Sequence, residues 1–216
     1  MTNAIGRPSR VATRIAARTA AERRRPDYTA EVSALIDAAR HIIETTGTAG
    51  KARVADIVAA AGLSNDAFYR HFPSKDALVA ALIEDGAERV AAAIARRMAA
   101  EPSAEGRIRV WVEGTLAQTD ASQAASTAAV LWNSSTLNSS IPTGDHAAKI
   151  PLARLLHEPF ASLGSTTPEL DAELVTHAVF GRVGGHLRAG TRVTPGEKER
   201  LLRFCLSTPL DGRQQA

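Results

Sequence analysis

Apolar residues recur every three or four positions along most of the chain, which is the spacing of helices that bury one face. The first clear stripe begins near residues 27–29 and ends at Gly47, a residue type that often closes a helix. Its apolar members are Val32, Leu35, Ile36, Ala39, Ile42 and Ile43. No run alternates β-branched or aromatic residues with polar ones between turn signals, as strands do. The pattern therefore predicts an all-α fold.

Further helices follow from the same spacing and from the positions of proline. A long helix is predicted from Ser74 to Met98, because Pro102 comes soon after it. Residues 138–144, which contain Asn, Ser, Pro and Gly, are predicted to form a loop. The other predicted helices cover about residues 104–121, 124–137, 147–163 with an interruption at Pro159, a segment after Pro168, and a last one from Pro195 to Leu206.

Residues 53–75 predict two short helices joined by a turn and followed by a third. Gly62 can adopt the left-handed conformation that ends the first helix, and Ser64 is a favourable N-cap for the second. Phe68 and Phe72 lie four residues apart, so both can pack against the first helix. Pro73 ends the second helix, and Ser74 caps the third. The outward residues of the second helix are then Asn65, Asp66, Tyr69 and Arg70.

These residues resemble the DNA-binding head of the tetracycline-repressor (TetR) family of bacterial transcription regulators. The matching motifs are Ala61-Gly62-Leu63-Ser64 and Tyr69-Arg70-His71-Phe72-Pro73-Ser74-Lys75. The resemblance covers about residues 29–88 and implies a three-helix helix-turn-helix head. It also implies a helical ligand-binding and dimerisation domain over residues 89–216, and a homodimer on a palindromic operator. One departure is Arg53, which stands where the family usually has a Thr or Ser that caps the helix.

In a helix-turn-helix the second helix enters the major groove, so the residues at its N-terminus are expected to meet base edges. Asn65 can bond to adenine, Asp66 can accept from cytosine, and Ala67 can contact a thymine methyl group. The resemblance assigns Tyr69, His71 and Lys75 to the DNA backbone. The alternatives are partial packing of the tyrosine, a satisfied histidine at the helix end, and a solvated lysine. The full set of predicted DNA-binding residues is Arg53, Ser64, Asn65, Asp66, Ala67, Tyr69, His71 and Lys75.

Positive charge is concentrated near the N-terminus, although the net charge of the 216-residue chain is only +3. Before residue 29 the only acidic residues are Glu22 and Asp27, against Arg7, Arg10, Arg14, Arg18, Arg23, Arg24 and Arg25. Residues 1–28 are therefore predicted to form a basic, disordered arm that could become helical on binding. Such an arm could follow phosphates or enter the minor groove, or it could be a solvated tail.

The second domain offers weaker signals. Its candidate ligand-binding residues combine aromatic and polar groups, as small-molecule pockets do, although each could equally be core. They are Met98, Trp111, Trp132, Asn133, Phe160 and His177, with residues 132–140 as the strongest tract. Glycines at 181, 184, 185 and 190 suit a close two-fold interface with Val179, Phe180, Val183 and Leu187, or else they break a helix.

Other classes of protein are disfavoured by what the sequence lacks. No metalloprotease, hydrolase, dinucleotide or phosphate-loop motif occurs, and the histidines do not have metal-ligand spacing. An enzyme, a cofactor and a metal are therefore not expected. Cys205, the single cysteine, is predicted to be buried among apolar residues. No secretory signal or long apolar run is present, so a cytoplasmic protein without membrane association is expected.

The sequence thus predicts a sequence-specific DNA-binding regulator, a repressor released from a palindromic operator by a small molecule, with the helix from Ser74 to Met98 linking its domains. The first alternative is a ligand-independent, nucleoid-type DNA-binding protein. The second is an enzyme or small-molecule carrier that retains a vestigial head.

Overall fold

The computed structural model describes residues 9–20, 28–133 and 143–208. All regular secondary structure in these ranges is helical, which confirms the predicted all-α class. The helices are α1 (Arg10–Ala20), α2 (Tyr28–Thr46), α3 (Val54–Ala61), α4 (Asn65–His71), α5 (Lys75–Met98), α6 (Ala104–Leu116), α7 (Ala121–Asn133), α8 (Thr143–Ser162), α9 (Pro168–Ala189) and α10 (Pro195–Ser207). A 3-10 turn at Ala117–Thr119 ends the predicted 104–121 helix early, and the predicted loop at 138–144 lies mostly outside the described residues.

The chain forms two compact units, here called the head and the body. The head contains the described residues up to Asp85, the end of α7 from Ala129 and the first two residues of α8, and the body contains the rest. The boundary within α5 falls after Asp85. The sequence did not predict that the end of α7 belongs to the head. This grouping arises because Ala129 is buried in the apolar core of the head and Val130 packs against that core.

The head is built on α2, whose predicted apolar stripe is buried. Val32, Leu35, Ala39 and Ile43 are completely shielded from solvent. The other helices of the head add buried side chains to the same core, and these include Ile57, Val58, Phe68, Phe72, Leu78, Val79 and Leu82. The sequence pattern therefore identified the buried face of α2, although Ile42 is only partly buried.

The N-terminal segment is partly helical, where the sequence analysis expected a disordered arm. In α1, Val11, Ala12, Ile15 and Ala16 form a stripe that is buried in the core of the head. Outside this stripe, Arg14 pairs with Glu84 at 2.5 Å. The apolar spacing within residues 11–16 was present in the sequence, but the surrounding arginines obscured it.

The body has its own core, centred on Trp111. This side chain is fully buried, and its indole N–H donates to the carbonyl of Leu152 at 2.9 Å. The predicted interruption of α8 at Pro159 is wrong, because the helix continues through both Pro151 and Pro159. A proline removes one helical hydrogen bond, and burial of Leu156 and Phe160 on the same helix offsets that loss.

Ion pairs that join helices at the surface of the body shift the pKa of two carboxyl groups. A hydrogen bond from Lys198 lowers the pKa of Glu113, against the opposing effect of partial burial. A hydrogen bond from Arg182 likewise lowers the pKa of Glu197, which also accepts from His186. Cys205 is fully buried, as predicted, and burial raises the pKa of its thiol to about 12. Among the described residues, no helix is long and apolar enough to cross a membrane.

Candidate nucleic-acid interface

The turn between α3 and α4 is formed by backbone and capping interactions of neighbouring residues. Gly62 has a φ of 67°, in the left-handed region that favours glycine, and its N–H bonds to the carbonyl of Ala59. The N–H of Leu63 bonds to the carbonyl of Val58 at 2.9 Å. Ser64 then caps α4 by accepting from the N–H of Ala67 at 3.1 Å. These contacts fix the direction in which α4 leaves α3.

α4 has one buried face and one exposed face. Phe68 is fully buried, and its ring contacts that of Phe72 with centroids 5.8 Å apart. Asn65 and Asp66 are exposed at the N-terminus of the helix, and Tyr69 is 57% exposed. All three residues are therefore exposed, as the helical spacing predicts.

Two predicted contacts at the N-terminal ends of the helices are accessible. Arg53 is exposed and makes no side-chain hydrogen bond that caps α3. The guanidinium is therefore not used in closing the helix that it precedes. Ser64 is also exposed, although its hydroxyl is engaged in capping α4.

Ala67 does not face outward, in contrast to the expected contact with a thymine methyl group. It is only 5% exposed, because it lies on the same side of α4 as Phe68 and His71. Ala67 follows the exposed residues 65 and 66 in the sequence, but each residue of a helix points about 100° away from the one before it. Neighbours in sequence therefore do not share a face. This arrangement leaves Asn65 and Asp66 as the candidate base contacts.

His71 faces the interior of the head, where the resemblance implied a phosphate contact. Its side chain is fully buried, and Nε2 lies 2.7 Å from Oε2 of Glu31 on α2. The ring also meets Tyr28 edge to face, with centroids 5.3 Å apart. This is the arrangement of a satisfied histidine at a helix end. In this conformation the imidazole packs between α4 and α2 and does not face outward.

Arg70 shares the carboxylate that holds His71. Its Nη1 donates to Oε2 of Glu31 at 3.1 Å, and its guanidinium lies 5.7 Å from the centre of the Tyr28 ring. Glu31 and Tyr28 are not among the residues predicted from the sequence. Both lie in the first turn of α2, about forty positions before their partners, so no local signal could have revealed the contact.

Lys75 lies at the start of α5 and is partly buried. Its Nζ donates to the carbonyl of Ala52 at 3.3 Å, which joins the two ends of the helix-turn-helix segment. An ammonium group has three donors, so this bond leaves capacity for a phosphate. The structure therefore gives Lys75 an internal contact without removing its predicted role.

The six predicted ligand-binding residues are not brought together. Met98, Trp111 and Phe160 are buried in the core of the body. Trp132 is 49% exposed, and Asn133 is buried with the residues of the head. The rest of the predicted tract, residues 134–140, lies outside the described residues.

Two cavities in the body include predicted residues. Met98 lines one of about 250 Å³, at whose edge Arg107 pairs with Glu158. His177 lines the other, of about 220 Å³, between α8 and α9. The remaining residues around this second cavity are Lys149, Ile150, Ala153, Arg154, His157, Glu173 and Thr176.

Comparison with known proteins agrees with this geometry. Residues 35–82 match the family model described as bacterial regulatory proteins, tetR family. This range includes most of α2, all of α3 and α4, and the start of α5. No curated protein matches the sequence.

Solved structures of similar fold cover most of the chain. The fatty acid degradation regulator FadR from Bacillus halodurans is 18% identical with a TM-score of 0.53, over 83% of this chain and 97% of that one. The transcriptional regulator FadR from Bacillus subtilis, solved in complex with stearoyl-CoA, is 16% identical with a TM-score of 0.54, over 81% and 97%. A protein from Pseudomonas aeruginosa PAO1 is 22% identical with a TM-score of 0.54, over 88% and 93%.

At these identities the structural matches establish the fold, while the matched segment establishes the nature of the head. The segment coincides with the capped, two-faced α4 and the helices that hold it. Residues 35–82 therefore form a DNA-binding head of the type found in bacterial regulatory proteins of the tetR family, within a chain that has a helix-turn-helix head and a helical body.

Proposed function

We propose that this protein is a dimeric repressor that binds a palindromic operator through α4 and leaves it when a small molecule binds the body. The observation that carries the proposal is the division of α4 into two faces. Phe68 and His71 hold it from behind, while Asn65, Asp66 and Tyr69 are exposed. A rigidly held helix with a polar outer face is what recognition in the major groove requires.

The contacts divide into those that specify sequence and those that position the protein. Asn65 can make a bidentate contact with adenine and Asp66 can accept from cytosine, each worth about 1–3 kcal/mol of discrimination. Arg53, Ser64, Tyr69 and Lys75 can donate to phosphates, which sets the register of the head on the duplex. His71 takes no direct part, because its ring supports α4 from inside.

The outer face of α9 supports the proposed dimer. Leu170 and Leu174 are 53% and 55% exposed, and they continue into Ala178, Gly181 and Gly185 at helical spacing. A Cβ at Gly181 or Gly185 would meet nothing within 4 Å, so a second helix could approach closely there. This face differs from the predicted one, because Val179 and Val183 are buried in the core of the body.

Selection of duplexes from a random library tests the dimer and the operator together. The full chain is expected to be a dimer in solution and to select two inverted half-sites about one helical turn, or a multiple of it, apart. Leu174→Asp should give a monomer that retains weak binding to a half-site, because a charge would then be buried in the interface. Sedimentation and binding titrations at fixed salt measure both properties.

The matched control is Ala161→Asp, which adds the same charge at an exposed position of α8. It should leave the dimer and the operator preference unchanged. Equal binding of the wild type to selected and random duplexes would instead support the ligand-independent, nucleoid-type alternative. A monomeric wild type that still selects paired half-sites would contradict the proposed interface.

The cavity between α8 and α9 is the best candidate for the effector site. The hydroxyl of Thr176 is buried at the wall of this cavity and has no hydrogen-bond partner in the described structure. A ligand that bonds to this hydroxyl would offset the free-energy penalty of burying it without a partner. Lys149 and Arg154 also line the cavity, with Glu173 as the acidic member. These groups suit a small anion that carries a hydrogen-bonding group, such as a carboxylate or a phosphate monoester.

Thr176→Val tests this site, because it removes the hydroxyl and nearly preserves the shape. We expect small carboxylates or phosphate esters to release the wild type from its selected duplex, and the variant to need about tenfold more of the same compound. Affinity for DNA without the compound should not change. The control is Thr115→Val, which removes another buried, unpartnered hydroxyl of the body away from this cavity. Equal sensitivity of the wild type and Thr176→Val would place the effector elsewhere.

A further inference from the structure

Asn133, the last residue of α7, is buried among the residues of the head. Its exposure is 1%, and its Oδ1 accepts from the backbone N–H of Ala52 at 2.9 Å. Its Nδ2 donates to the carbonyl of Ala129, one turn earlier in α7, at 3.0 Å. Since an amide has one acceptor oxygen and one donor nitrogen, the second bond fixes the orientation that presents the oxygen to Ala52.

Ala52 lies two residues before the start of α3. It directly precedes Arg53, whose side chain does not cap α3, and it is itself buried. Its carbonyl accepts from Lys75, the first residue of α5. Ala52 therefore connects three elements: the start of α3, the start of α5 and, through Asn133, the end of α7. Because α4 lies between α3 and α5 in the chain, both ends of the DNA-binding segment are held at this residue.

α7 is one continuous helix that belongs to both units. Its residues up to Ala128 group with the body, and those from Ala129 group with the head. A helix is stiff because each turn is bonded to the next, so the first turns of α7 help to hold its end in place. The end of this helix carries the bond to Ala52.

We propose that Asn133 is a positioning residue that couples α7 to the helix-turn-helix. Its bond to Ala52 holds α3 and α4 in the arrangement that reads DNA, and a change in α7 alters operator preference through this bond. The inference rests on the proposed function, in which a signal from the body controls the head.

The first test replaces Asn133 with Ala in the full chain. Hydrogen exchange of the Ala52 amide should become about tenfold faster, because a buried N–H loses its acceptor. The ratio of affinity for the selected duplex to affinity for a random duplex of equal length should fall at least about fivefold, since base contacts need an accurately placed α4. Affinity for the random duplex should stay within about twofold, because the phosphate-binding side chains are unchanged.

A second test perturbs α7 far from Asn133. Ala125 is exposed in the part of the helix that groups with the body, and Ala125→Gly weakens the helix while Ala125→Gln retains it. Ala125→Gly should speed exchange of the Ala52 amide and lower the duplex ratio relative to Ala125→Gln. In the Asn133→Ala background the same pair should no longer differ. If Asn133→Ala folds poorly, the comparison of Ala125→Gly with Ala125→Gln still tests the coupling, because both variants retain the bond between Asn133 and Ala52.

The outcomes separate this inference from the proposed function. An unchanged duplex ratio in Asn133→Ala, together with faster exchange at Ala52, would overturn the coupling. So would an effect of Ala125→Gly that is equal in both backgrounds. If the wild type prefers no sequence at all, the proposed function fails, and the exchange comparison between the two Ala125 variants still decides whether α7 acts on Ala52.

Discussion

Phe68→Ala is expected to lower the free energy of unfolding of the head by about 3–5 kcal/mol and to abolish specific DNA binding. The ring is fully buried between the helices of the head, and it contacts both Phe72 and Tyr69. Its removal leaves a cavity behind the recognition helix that the short α4 cannot refill. Because folded domains are stable by only about 5–15 kcal/mol, much of the head would unfold at moderate temperature. Chemical denaturation followed by circular dichroism, with hydrogen exchange to locate the loss, measures the effect.

The adjacent residue provides the control. Tyr69 is 57% exposed, so Tyr69→Ala removes little buried surface and only one edge contact with Phe68. Its cost in stability should be below about 1 kcal/mol, whereas DNA affinity should fall about tenfold through the loss of a phosphate contact. Similar losses of stability in the two variants would contradict the two-faced arrangement of α4.

Arg40→Leu is expected to lower the free energy of unfolding by about 3–5 kcal/mol, because it leaves the buried carboxylate of Asp85 without its guanidinium partner. Asp85 is 2% exposed, and its Oδ2 lies 2.7 Å from Nη2 of Arg40. The pair joins α2 to the part of α5 that ends the head. Leucine retains most of the apolar stem of arginine, so the loss of stability mainly reflects the removal of the guanidinium charge. Urea denaturation at neutral pH measures it.

The same arginine supplies a matched comparison. Asp37 also pairs with Arg40, at 2.8 Å, but its side chain is 69% exposed. Asp37→Ala should therefore cost less than about 1 kcal/mol, and high salt should reduce even that effect. If Arg40→Leu and Asp37→Ala lower the free energy of unfolding by the same amount, burial of Asp85 does not determine the strength of its pair with Arg40.

The features predicted correctly from the sequence depend on neighbouring residues. Gly62, Ser64 and Pro73 set the turn and the ends of α4 through their own backbone preferences, and the apolar spacing of α2 sets its buried face. Such signals act within one or two turns of chain. This is why the helix-turn-helix and the all-α class could be predicted without a structure.

The misplaced residues depend on partners that are distant in the sequence. The partner of His71 lies forty positions away, and the partner of Asn133 lies eighty-one positions away. A motif can indicate that a histidine follows a recognition helix, but it cannot indicate that Glu31 meets the ring. In the same way, polar residues beside Trp132 suggested a pocket, whereas Asn133 satisfies a backbone N–H in the head.

The sequence by itself determined the all-α class, where the recognition helix begins and ends, and that Asn65, Asp66 and Tyr69 face outward. Local backbone preference and helical periodicity are sufficient for these features. Only the tertiary structure decided that α1 completes the core of the head, that His71 supports α4 from inside, and that the end of α7 is bonded to Ala52. These depend on which helices pack together, because a buried polar group takes whatever partner the packing brings within reach.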